Sequence, residues 1–533
     1  MAMEQLLRML LTIPEVSALV RAVERGECPA AVTGLGPVHR AQAAAALALE
    51  TGRPLVMVCA DEGEAGRLGE DLRNLTGEEP LKLFARELFV KAGTVISRQW
   101  EHRRIASLYA LTQGRGRVVV ATCEGLLQKT TPPEKLGAAA LRLAVGERLD
   151  LTALPGRLVA AGYTRCDQVE GVGQFALRGG ILDVFSPMMD QPVRCEFFDD
   201  EIDSLGEFDT ATQRRTANLE EALLLPALEL LPGADLASCF DYLPPDALVC
   251  LGETGRLTER VKAVLWQARE DTESLLAAGE KDGDLTRLLL SQSEWLEALG
   301  RFPLCMMDAL PTSRYPLAPR TLLSVGAKQL SAYGGSVETA AGDLQHYLSA
   351  GYAALLLCGN QTRCRNMQRM LQERGIAAAL DFDCREMPRP GQARISAGAL
   401  SAGAEYPQIS LAVLTEGQLT AAVAGKRPAR HGGGDNRRKL LSYTDLTVGD
   451  LVVHTHHGVG RFEGIRKMPV DGVEKDYIKI AYAGGDSLYV PATQLDMVSK
   501  YIGGGGGEED GRPVKLNKLG GTDWSKQKSR AKA

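Results

Sequence analysis

The sequence predicts a multidomain fold that combines α/β units with β-rich units. Its 533 residues are too many for one hydrophobic core, since single domains usually hold about 100–200 residues, and roughly three to five domains are expected. Apolar strands alternate with helical segments in residues 29–60 and again in residues 321–416, which is typical of parallel or mixed sheets. Residues 174–208 and 446–491 instead contain short strands separated by turns.

Composition and charge exclude several classes of protein. A net charge of -6 argues against nucleic-acid binding over the whole surface and leaves only local basic patches. Eleven cysteines without a C-x-x-C pair, together with seven histidines, argue against a disulfide framework or a zinc site and indicate a reducing cytoplasm. Residues 1–11 lack the order of a signal peptide, and no apolar run reaches about 18 residues. We therefore expect a cytoplasmic protein without a metal site or membrane contact.

The first unit, residues 1–137, opens with a βαβ pattern that lacks nucleotide chemistry. An apolar strand ends at Thr33-Gly34-Leu35-Gly36, and an alanine-rich helix follows. A phosphate-binding loop needs a lysine and a hydroxyl after its glycines, whereas Pro37 and Val38 stand at those positions. This predicts a degenerate P-loop-type domain in which Thr33, Gly34, Gly36, Pro37 and Val38 bind no phosphate. Asp61-Glu62 is interpreted as charge at a helix start.

Residues 138–215 predict an antiparallel sheet domain inserted in the α/β domain. Ile181, Asp183 and Phe185 are placed on one side of a strand, with Leu182 and Val184 on the other. A second strand runs from Val193 to Phe198 before a turn-rich corner. The pattern places Arg178 and Arg194 beside the turns. Residues 216–320 then read as the second half of the α/β domain, with the helices of Trp266 and Trp295 packed on its core.

A second small α/β domain is predicted at residues 321–424. It shows no constellation of chemically active residues, so we interpret it as a spacer or docking domain. A basic linker follows at residues 425–443, and its stretch 426–439 has six Lys/Arg residues against one aspartate. A flexible, solvated spacer is the favoured interpretation, with weak contact to nucleic-acid backbone as the alternative.

The last folded domain, residues 444–503, is predicted to be a small Tudor/SH3-like β barrel of four or five strands. A hairpin joins Tyr477–Tyr482 to Leu488–Pro491, and a short helix is expected at Ala492–Tyr501. Alternation separates His454 and His456 from His457, which argues against zinc. In the tail, residues 504–533, Thr522 resembles the N-cap of a helix that has barely begun at Ala533, which suggests an incomplete chain.

Two stretches resemble known families. The stretches RGGILDVFSP (178–187) and EFFDDEIDSL (196–205) resemble the signature of the UvrB-type damage-recognition domain, which occurs in UvrB and in bacterial transcription-repair coupling factors (Mfd). Pro37 and Val38 shift this resemblance from UvrB, which keeps an intact phosphate loop, towards the coupling factors. The stretches VGDLVVHTHHGVGRF (448–462) and DYIKIAYA (476–483) resemble the RNA polymerase interaction domain that coupling factors share with CarD-type regulators.

The resemblance implies two partners and the residues that meet them. UvrA would bind one exposed face of the inserted sheet through Arg165, Arg178 and Phe185, unless Phe185 is core and the arginines are only solvated. The RNA polymerase β subunit would pair edge-on with the strand Tyr477–Tyr482, through Ile478, Lys479 and Ile480, unless this is an ordinary barrel strand.

We therefore expect the recruitment half of a coupling factor, a monomer that links stalled RNA polymerase to UvrA in nucleotide excision repair. Complete family members continue into an ATP-driven, helicase-like DNA translocase, which this chain lacks. We expect no catalytic residue and no cofactor here, since ATP and Mg²⁺ would serve the missing motor. DNA would be reached through that motor, and at most weakly through residues 426–439. A CarD-like transcription regulator and a UvrB-like excision nuclease subunit remain alternatives.

Overall fold

The protein is a mixed α/β chain with two largely parallel sheets and two largely antiparallel ones. The computed structural model describes residues 3–88, 99–187, 189–277, 279, 284–312, 314–330, 337–419, 437–439, 448–454, 458–470, 473–483, 485–491 and 498–501. The α-helices span Glu4–Leu10, Pro14–Glu24, Pro37–Thr51, Glu62–Thr76, Gln99–Thr112, Cys123–Leu127, Pro133–Ala139, Leu154–Ala160, Thr254–Ala277, Gln292–Gly300, Val337–Ser349, Gln361–Gln372 and Glu416–Leu419. Short 3₁₀ helices lie at Cys239–Tyr242, Leu285–Leu288 and Pro407–Ile409. Among the described helices, none has the length and hydropathy needed to cross a bilayer.

The first sheet has seven strands, all parallel. Their spatial order is Thr321–Ser324, Ala30–Thr33, Leu304–Met307, Leu248–Gly252, Leu55–Cys59, Val118–Thr122 and Leu81–Leu83. The apolar side chains of these strands alternate between two separate core clusters, one on each face. Helices therefore cover both faces, as an all-parallel sheet requires.

The strand Thr321–Ser324 corrects a predicted boundary. It pairs in parallel with Ala30–Thr33 and forms the edge of the first sheet. The boundary placed at residue 321 is therefore wrong, because this strand completes the first domain. The helices Thr254–Ala277 and Gln292–Gly300 pack on the core of this domain as predicted; Trp295 is buried there, whereas Trp266 is 59% exposed on the outer side of its helix.

The inserted unit is a six-stranded sheet beside a two-stranded ribbon. The strand order of the sheet is Arg215–Asn218, Glu201–Phe208, Val193–Phe198, Ile181–Val184, Gln174–Arg178 and Thr164–Arg165. All neighbours are antiparallel except the last two strands. In the ribbon, Glu221–Leu224 pairs with Leu141–Ala144. The inserted unit thus extends beyond the predicted end at residue 215, because its first strand needs a partner from the returning chain.

The second sheet shares a layer of helices with the first sheet. Its strand order is Lys328–Leu330, Gly403–Tyr406, Leu411–Thr415, Ala353–Cys358, Ala393–Ala397 and Ala378–Leu380. One apolar cluster includes the helices of residues 4–76, the facing side of the first sheet, and Leu355, Leu357 and Val413 of the second sheet. The helices Val337–Ser349 and Gln361–Gln372 cover its other face. The second α/β unit is therefore packed against the first and is not a detached spacer.

Polar side chains also join the second sheet to the shared helices. The Tyr406 hydroxyl donates to Gln42, and His39 packs edge-on against the Tyr406 ring. Asp71, which is 2% exposed, accepts hydrogen bonds from the backbone N–H and the hydroxyl of Ser401, both at 2.6 Å. Burial raises the pKa of Asp71 to about 6 and outweighs these two hydrogen bonds, which lower it.

Replacing Asp71 with asparagine should remove a pH dependence of stability. Because the folded-state pKa lies above the ordinary value of 3.8, the wild-type chain loses stability as pH rises from about 4 to about 6. The shift corresponds to roughly 3 kcal/mol. We expect the difference in melting temperature between Asp71→Asn and wild type (variant minus wild type) to be more positive at pH 7.5 than at pH 4.5. An equal difference at both pH values would contradict the assignment.

The C-terminal sheet has six strands. Their order is Arg437–Lys439, Val498–Tyr501, Leu451–His454, Gly458–Val470, Val473–Ala481 and Ser487–Pro491. The predicted hairpin between the last two strands is confirmed. Two expectations are wrong: Val498–Tyr501 is a strand and not part of a helix, and Arg437–Lys439, placed in the flexible linker, pairs with it. The rest of the predicted linker 425–443 and the whole tail 504–533 lie outside the described residues.

Candidate functional sites

The loop after the first strand is packed against the edge strand of its own sheet. Gly34 has a φ of +86°, and a Cβ atom at this position would lie 2.0 Å from the carbonyl oxygen of Val325. The Thr33 hydroxyl donates to the carbonyl of Leu323. Gly36 precedes the helix, in which Pro37 occupies the first turn and Val38 is fully buried.

The backbone donors of this loop already have partners within the chain. The Gly34 N–H donates to the carbonyl of Ala309, and the Leu35 N–H donates to that of Asp308. A phosphate held by such a loop would need these N–H groups to be free. Their occupation supports the interpretation of this loop as a structural turn, and the absence of a nucleotide cofactor stays a prediction.

A network of ion pairs fills the carboxyl edge of the first sheet, where doubly wound folds hold their ligands. Arg40, which is 2% exposed, lies 3.1 Å from Glu64 and 2.9 Å from Glu253. Arg256 reaches Asp61 at 2.8 Å. Asp61 also accepts from the Glu64 N–H as the helix N-cap, which confirms its interpretation as helix-start charge. The chain's own carboxylates thus neutralise the cations at this edge.

A second buried cluster joins the α/β unit to the two chain segments that lead into and out of the inserted unit. Glu229 is fully buried, and its carboxylate accepts from Arg86 and from Arg104, each at 2.9 Å. Arg86 also donates to the carbonyl of Lys129, in the segment that leads into the insertion. Burial would raise the pKa of Glu229, but the charges of Arg104 and Arg86 outweigh it and lower the pKa.

The outer face of the inserted sheet carries a shared carboxylate. Asp183 is fully buried at its centre and accepts from Arg194 through both of its oxygens and from Arg178 at 2.7 Å. The Arg194 guanidinium lies 4.6 Å from the centroid of the Phe208 ring. These contacts fix Arg194 in place and leave the Arg178 side chain 52% exposed at the end of the strand.

The three residues predicted to bind UvrA do not form one exposed cluster. Arg165 is exposed, and it pairs in register with Phe175 of the adjacent strand. Paired residues lie on the same face of a sheet, and the Phe175 side chain is in the inner core, so Arg165 belongs to the inner face. Alternation places Arg178, three residues after Phe175, on the outer face. Phe185 is half-buried against Phe208 on that outer face. The structure therefore brings Arg178 and Phe185 to one face and places Arg165 on the other, so the single-face prediction is wrong for Arg165.

An exposed apolar pair on the same face as Arg178 was missed. Phe198 is 79% exposed and Ile181 is 39% exposed, and both lie on the outer face near the strand ends. The alternation Arg194, Glu196, Phe198 could have shown that Phe198 points outward with the charged residues.

The strand predicted to pair with RNA polymerase is internal to the C-terminal sheet. Tyr477–Ala481 is hydrogen-bonded to Gly458–Val470 on one side and to Ser487–Pro491 on the other. Ile478 and Ile480 are fully buried in the core, whereas Lys479 points outward and lies 2.7 Å from Glu463. Edge-on pairing by this strand is therefore wrong, because both of its edges are occupied.

The strand Ser487–Pro491 has one free edge within the described residues. The Tyr482 N–H donates to the carbonyl of Asp486 at the turn, and hydrogen-bonded pairs alternate from there along an antiparallel ladder. The N–H groups of Leu488 and Val490 therefore point inward, and those of Ser487 and Tyr489 point to the free edge. A partner strand could add there through main-chain hydrogen bonds.

No metal site is found in the part of the chain that the structure describes. No group of three or more His, Cys, Asp or Glu side chains could hold an ion there. His454 is buried in the C-terminal sheet, and His456 and His457 lie outside the described residues. All eleven cysteines are free thiols.

The two β-rich units match known domain families. Residues 141–230 match the UvrB interaction domain, and residues 446–502 match the CarD-like/TRCF RID domain. The first range begins at the ribbon strand Leu141–Ala144 and includes the whole inserted sheet. The fold and these matches define a multidomain chain that combines a UvrB-interaction unit with a CarD-like unit.

The chain is also similar to curated proteins over most of its length. The transcription-repair-coupling factor of Staphylococcus aureus strain MRSA252 is 28% identical over 564 residues, which cover 95% of this chain and 47% of that protein. The corresponding factor of Bacillus subtilis strain 168 is 27% identical over 576 residues, covering 97% and 48%. The predicted resemblance to the N-terminal half of coupling factors is thus confirmed, and the chain spans about half the length of the curated relatives it matches.

One solved structure also aligns with this chain, but at low similarity. The hypothetical ATP-dependent RNA helicase from Sulfolobus tokodaii aligns with 75% of this chain and 97% of its own at 8% identity. Its TM-score of 0.21 is too low to support an argument.

Proposed function

We propose that the chain acts in transcription-coupled nucleotide excision repair, as a recruitment module that links stalled RNA polymerase to UvrA. The main support for this proposal is the presence of a UvrB-interaction unit and a CarD-like unit in one chain. The sequence is also similar to coupling factors over 95% of its length. The module would work as a monomer in the bacterial cytoplasm. The ATP-driven translocation and DNA binding of complete coupling factors would belong to their remaining half.

The UvrA contact would lie on the outer face of the inserted sheet. Arg178 is held by the buried Asp183 and keeps half of its side chain exposed beside its strand partner Ile181, on the same face as the exposed Phe198. A fixed arginine on one face with an exposed aromatic is the composition typical of an interface hot spot. Phe185, which is half-buried, would support this face rather than meet the partner.

Replacing Arg178 with alanine should weaken capture of UvrA by roughly tenfold or more, as expected for an arginine hot spot. Asp183 keeps both hydrogen bonds from Arg194, so the melting temperature should stay close to wild type. Arg142→Ala is the matched control, since Arg142 is an exposed, ion-paired arginine on the ribbon of the same unit. Binding of immobilised UvrA to each variant is the measurement. Equal affinity of Arg178→Ala and wild type would remove this residue from the interface.

The RNA polymerase β subunit would add a strand to the free edge of Ser487–Pro491. This edge offers the Tyr489 and Ser487 N–H groups next to the predicted strand, in which Lys479 points outward. Main-chain pairing would supply the affinity, and Ile478 and Ile480 would act indirectly by holding the core beneath it.

Replacing Tyr489 with proline should abolish capture of RNA polymerase. Proline removes the outward N–H and leaves the inner ladder intact, which edge strands tolerate. Tyr489→Ala is the matched control, because it removes the side chain but keeps the N–H, and it should still capture polymerase. If the proline variant is folded and captures polymerase as well as wild type, the edge is not the contact. The edge of Glu463–Val470 that pairs with no described strand is then the next candidate.

Two other functions would give different results. A CarD-like regulator would bind polymerase and never UvrA, so Arg178→Ala would have no affinity to change. A UvrB-like enzyme would bind nucleotide through the first loop. The occupied N–H groups of Gly34 and Leu35 argue against that alternative.

A further inference from the structure

The helix Gln361–Gln372 of the second α/β unit has an unusual charge. It carries three arginines and no acidic residue. Among the described helices of eight or more residues, it alone lacks an aspartate or glutamate. The whole chain has a net charge of -6, so this helix is a local exception to the overall balance.

The two faces of this helix differ sharply. Cys364, Met367 and Leu371 are buried against the second sheet and fix the orientation of the helix. The opposite face forms one exposed stripe at spacings of three and four residues, which places its members side by side along the helix. Its members are Thr362, Arg365, Asn366, Arg369 and Gln372.

The two arginines of the stripe are not neutralised. Arg363, outside the stripe, pairs with Glu416 at 3.1 Å. No described carboxylate forms an ion pair with Arg365 or Arg369. The Arg365 guanidinium lies 5.1 Å from the centroid of the Phe382 ring, which holds it in place without removing its charge.

Acidic residues around the stripe are mostly engaged elsewhere. On the neighbouring helix, Glu338 pairs with Arg374. In the segment after Leu380, three carboxylates pair with arginines of the same segment or the next strand, namely Asp381 and Glu386 with Arg394, and Asp383 with Arg385. Asp343 on the neighbouring helix and Glu373 at the end of this one remain as exposed acids. The stripe therefore keeps a net positive charge.

The chemistry of the stripe favours a nucleic-acid backbone over a protein. Protein interfaces are centred on buried apolar or aromatic anchors, and this stripe contains none. Guanidinium, amide and hydroxyl groups are the side-chain donors that contact phosphate oxygens. We propose that the exposed stripe of the helix Gln361–Gln372 is a docking surface for the phosphodiester backbone of nucleic acid. This inference goes beyond recruitment of UvrA or polymerase and depends on neither partner.

The contact has a measurable electrostatic signature. Each phosphate neutralised on duplex DNA contributes about 0.9 to the slope of log affinity against log salt. Loss of the two arginines should therefore lower this slope by roughly 2. A stripe of about ten residues is roughly 15 Å long, enough for a few phosphates of one strand and no more.

The test is fluorescence anisotropy of the full chain with a labelled 30-base-pair duplex at several salt concentrations. The double variant Arg365→Glu/Arg369→Glu should weaken binding roughly tenfold or more at low salt and lower the slope by roughly 2. Arg148→Glu/Arg301→Glu is the control, because it changes net charge equally at exposed arginines elsewhere. The milder Arg365→Gln/Arg369→Gln variant should show the same direction with an unchanged melting temperature.

Three results would overturn the proposal. Equal weakening by both double variants would mean that only net charge matters. An unchanged slope in the stripe variant would assign any DNA binding to another basic segment, such as residues 426–439. Binding of polyglutamate, but not of duplex or single-stranded DNA, would assign the stripe to an acidic protein segment.

Discussion

Replacing Glu229 with glutamine should destabilise the chain by about 3–5 kcal/mol, because it leaves two buried guanidinium groups without a counter-charge. Arg104 is 1% exposed and Arg86 is 5% exposed at the side chain, so water cannot take the place of the carboxylate. Glutamine keeps the size of the side chain and removes only the charge. The loss of stability should appear at the junction of the two units. There Arg86 donates both to Glu229, in the segment that leaves the inserted unit, and to Lys129, in the segment that enters it.

The measurement is the thermal unfolding curve, together with hydrogen exchange across residues 99–131 and 225–243. Glu221→Gln is the matched control, since Glu221 forms an exposed ion pair with Arg142 in the same unit and should leave the curve unchanged. An unchanged melting temperature for Glu229→Gln would show that the buried cluster is not a stabilising element.

The same cluster should contribute to acid unfolding. The pKa of Glu229 lies below its ordinary value of 4.5, so its stabilisation is present above that value and is lost as pH falls through the lowered pKa. In Glu229→Gln, the acid-dependent part of the unfolding that comes from this residue should be absent.

Replacing Ile478 with arginine should unfold the C-terminal sheet and leave the rest of the chain folded. Ile478 is fully buried among Phe462, Leu488 and Val490, and a guanidinium there would have no described partner. Burying an unpaired charge costs several kcal/mol, which is comparable to the whole stability of a unit of this size. Loss of polymerase capture by this variant would therefore report on folding and not on a contact.

Hydrogen exchange over residues 451–491 measures the effect directly. Lys479→Gln is the control on the neighbouring outward position and should retain protection. The first sheet and the inserted sheet have separate cores, so their protection should not change in either variant. A protected, folded Ile478→Arg chain would contradict the inward orientation of this side chain.

Local sequence patterns predicted the helices and strands of this chain better than they predicted which strands pair with each other. The inserted strands, the βαβ opening and the C-terminal hairpin follow from alternation and turn chemistry within a few residues. The strand Thr321–Ser324 was assigned to the wrong domain, because its partner Ala30–Thr33 is nearly three hundred residues away and no local pattern shows such a pairing.

The candidate sites show the same limit. Family motifs predicted Arg178 correctly as exposed, but the register that moves Arg165 to the other face depends on the pairing of a two-residue strand. In the C-terminal sheet, the alternation of Ile478, Lys479 and Ile480 is typical of a strand with one buried side. The predicted contact of all three residues with RNA polymerase did not take this alternation into account. The Glu229 cluster could not be found from sequence, since its ion pairs join residues more than a hundred positions apart.

The helix layer shared by the two largely parallel sheets has a consequence for synthesis of the protein. Residues 4–76 leave the ribosome early, but the strands Ala353–Cys358 and Leu411–Thr415, which cover their second apolar face, are made much later. At about 5–20 residues per second, the roughly 280 intervening residues take about 15–60 s to translate. During that interval the second apolar face of these helices lacks the strands that cover it in the folded chain.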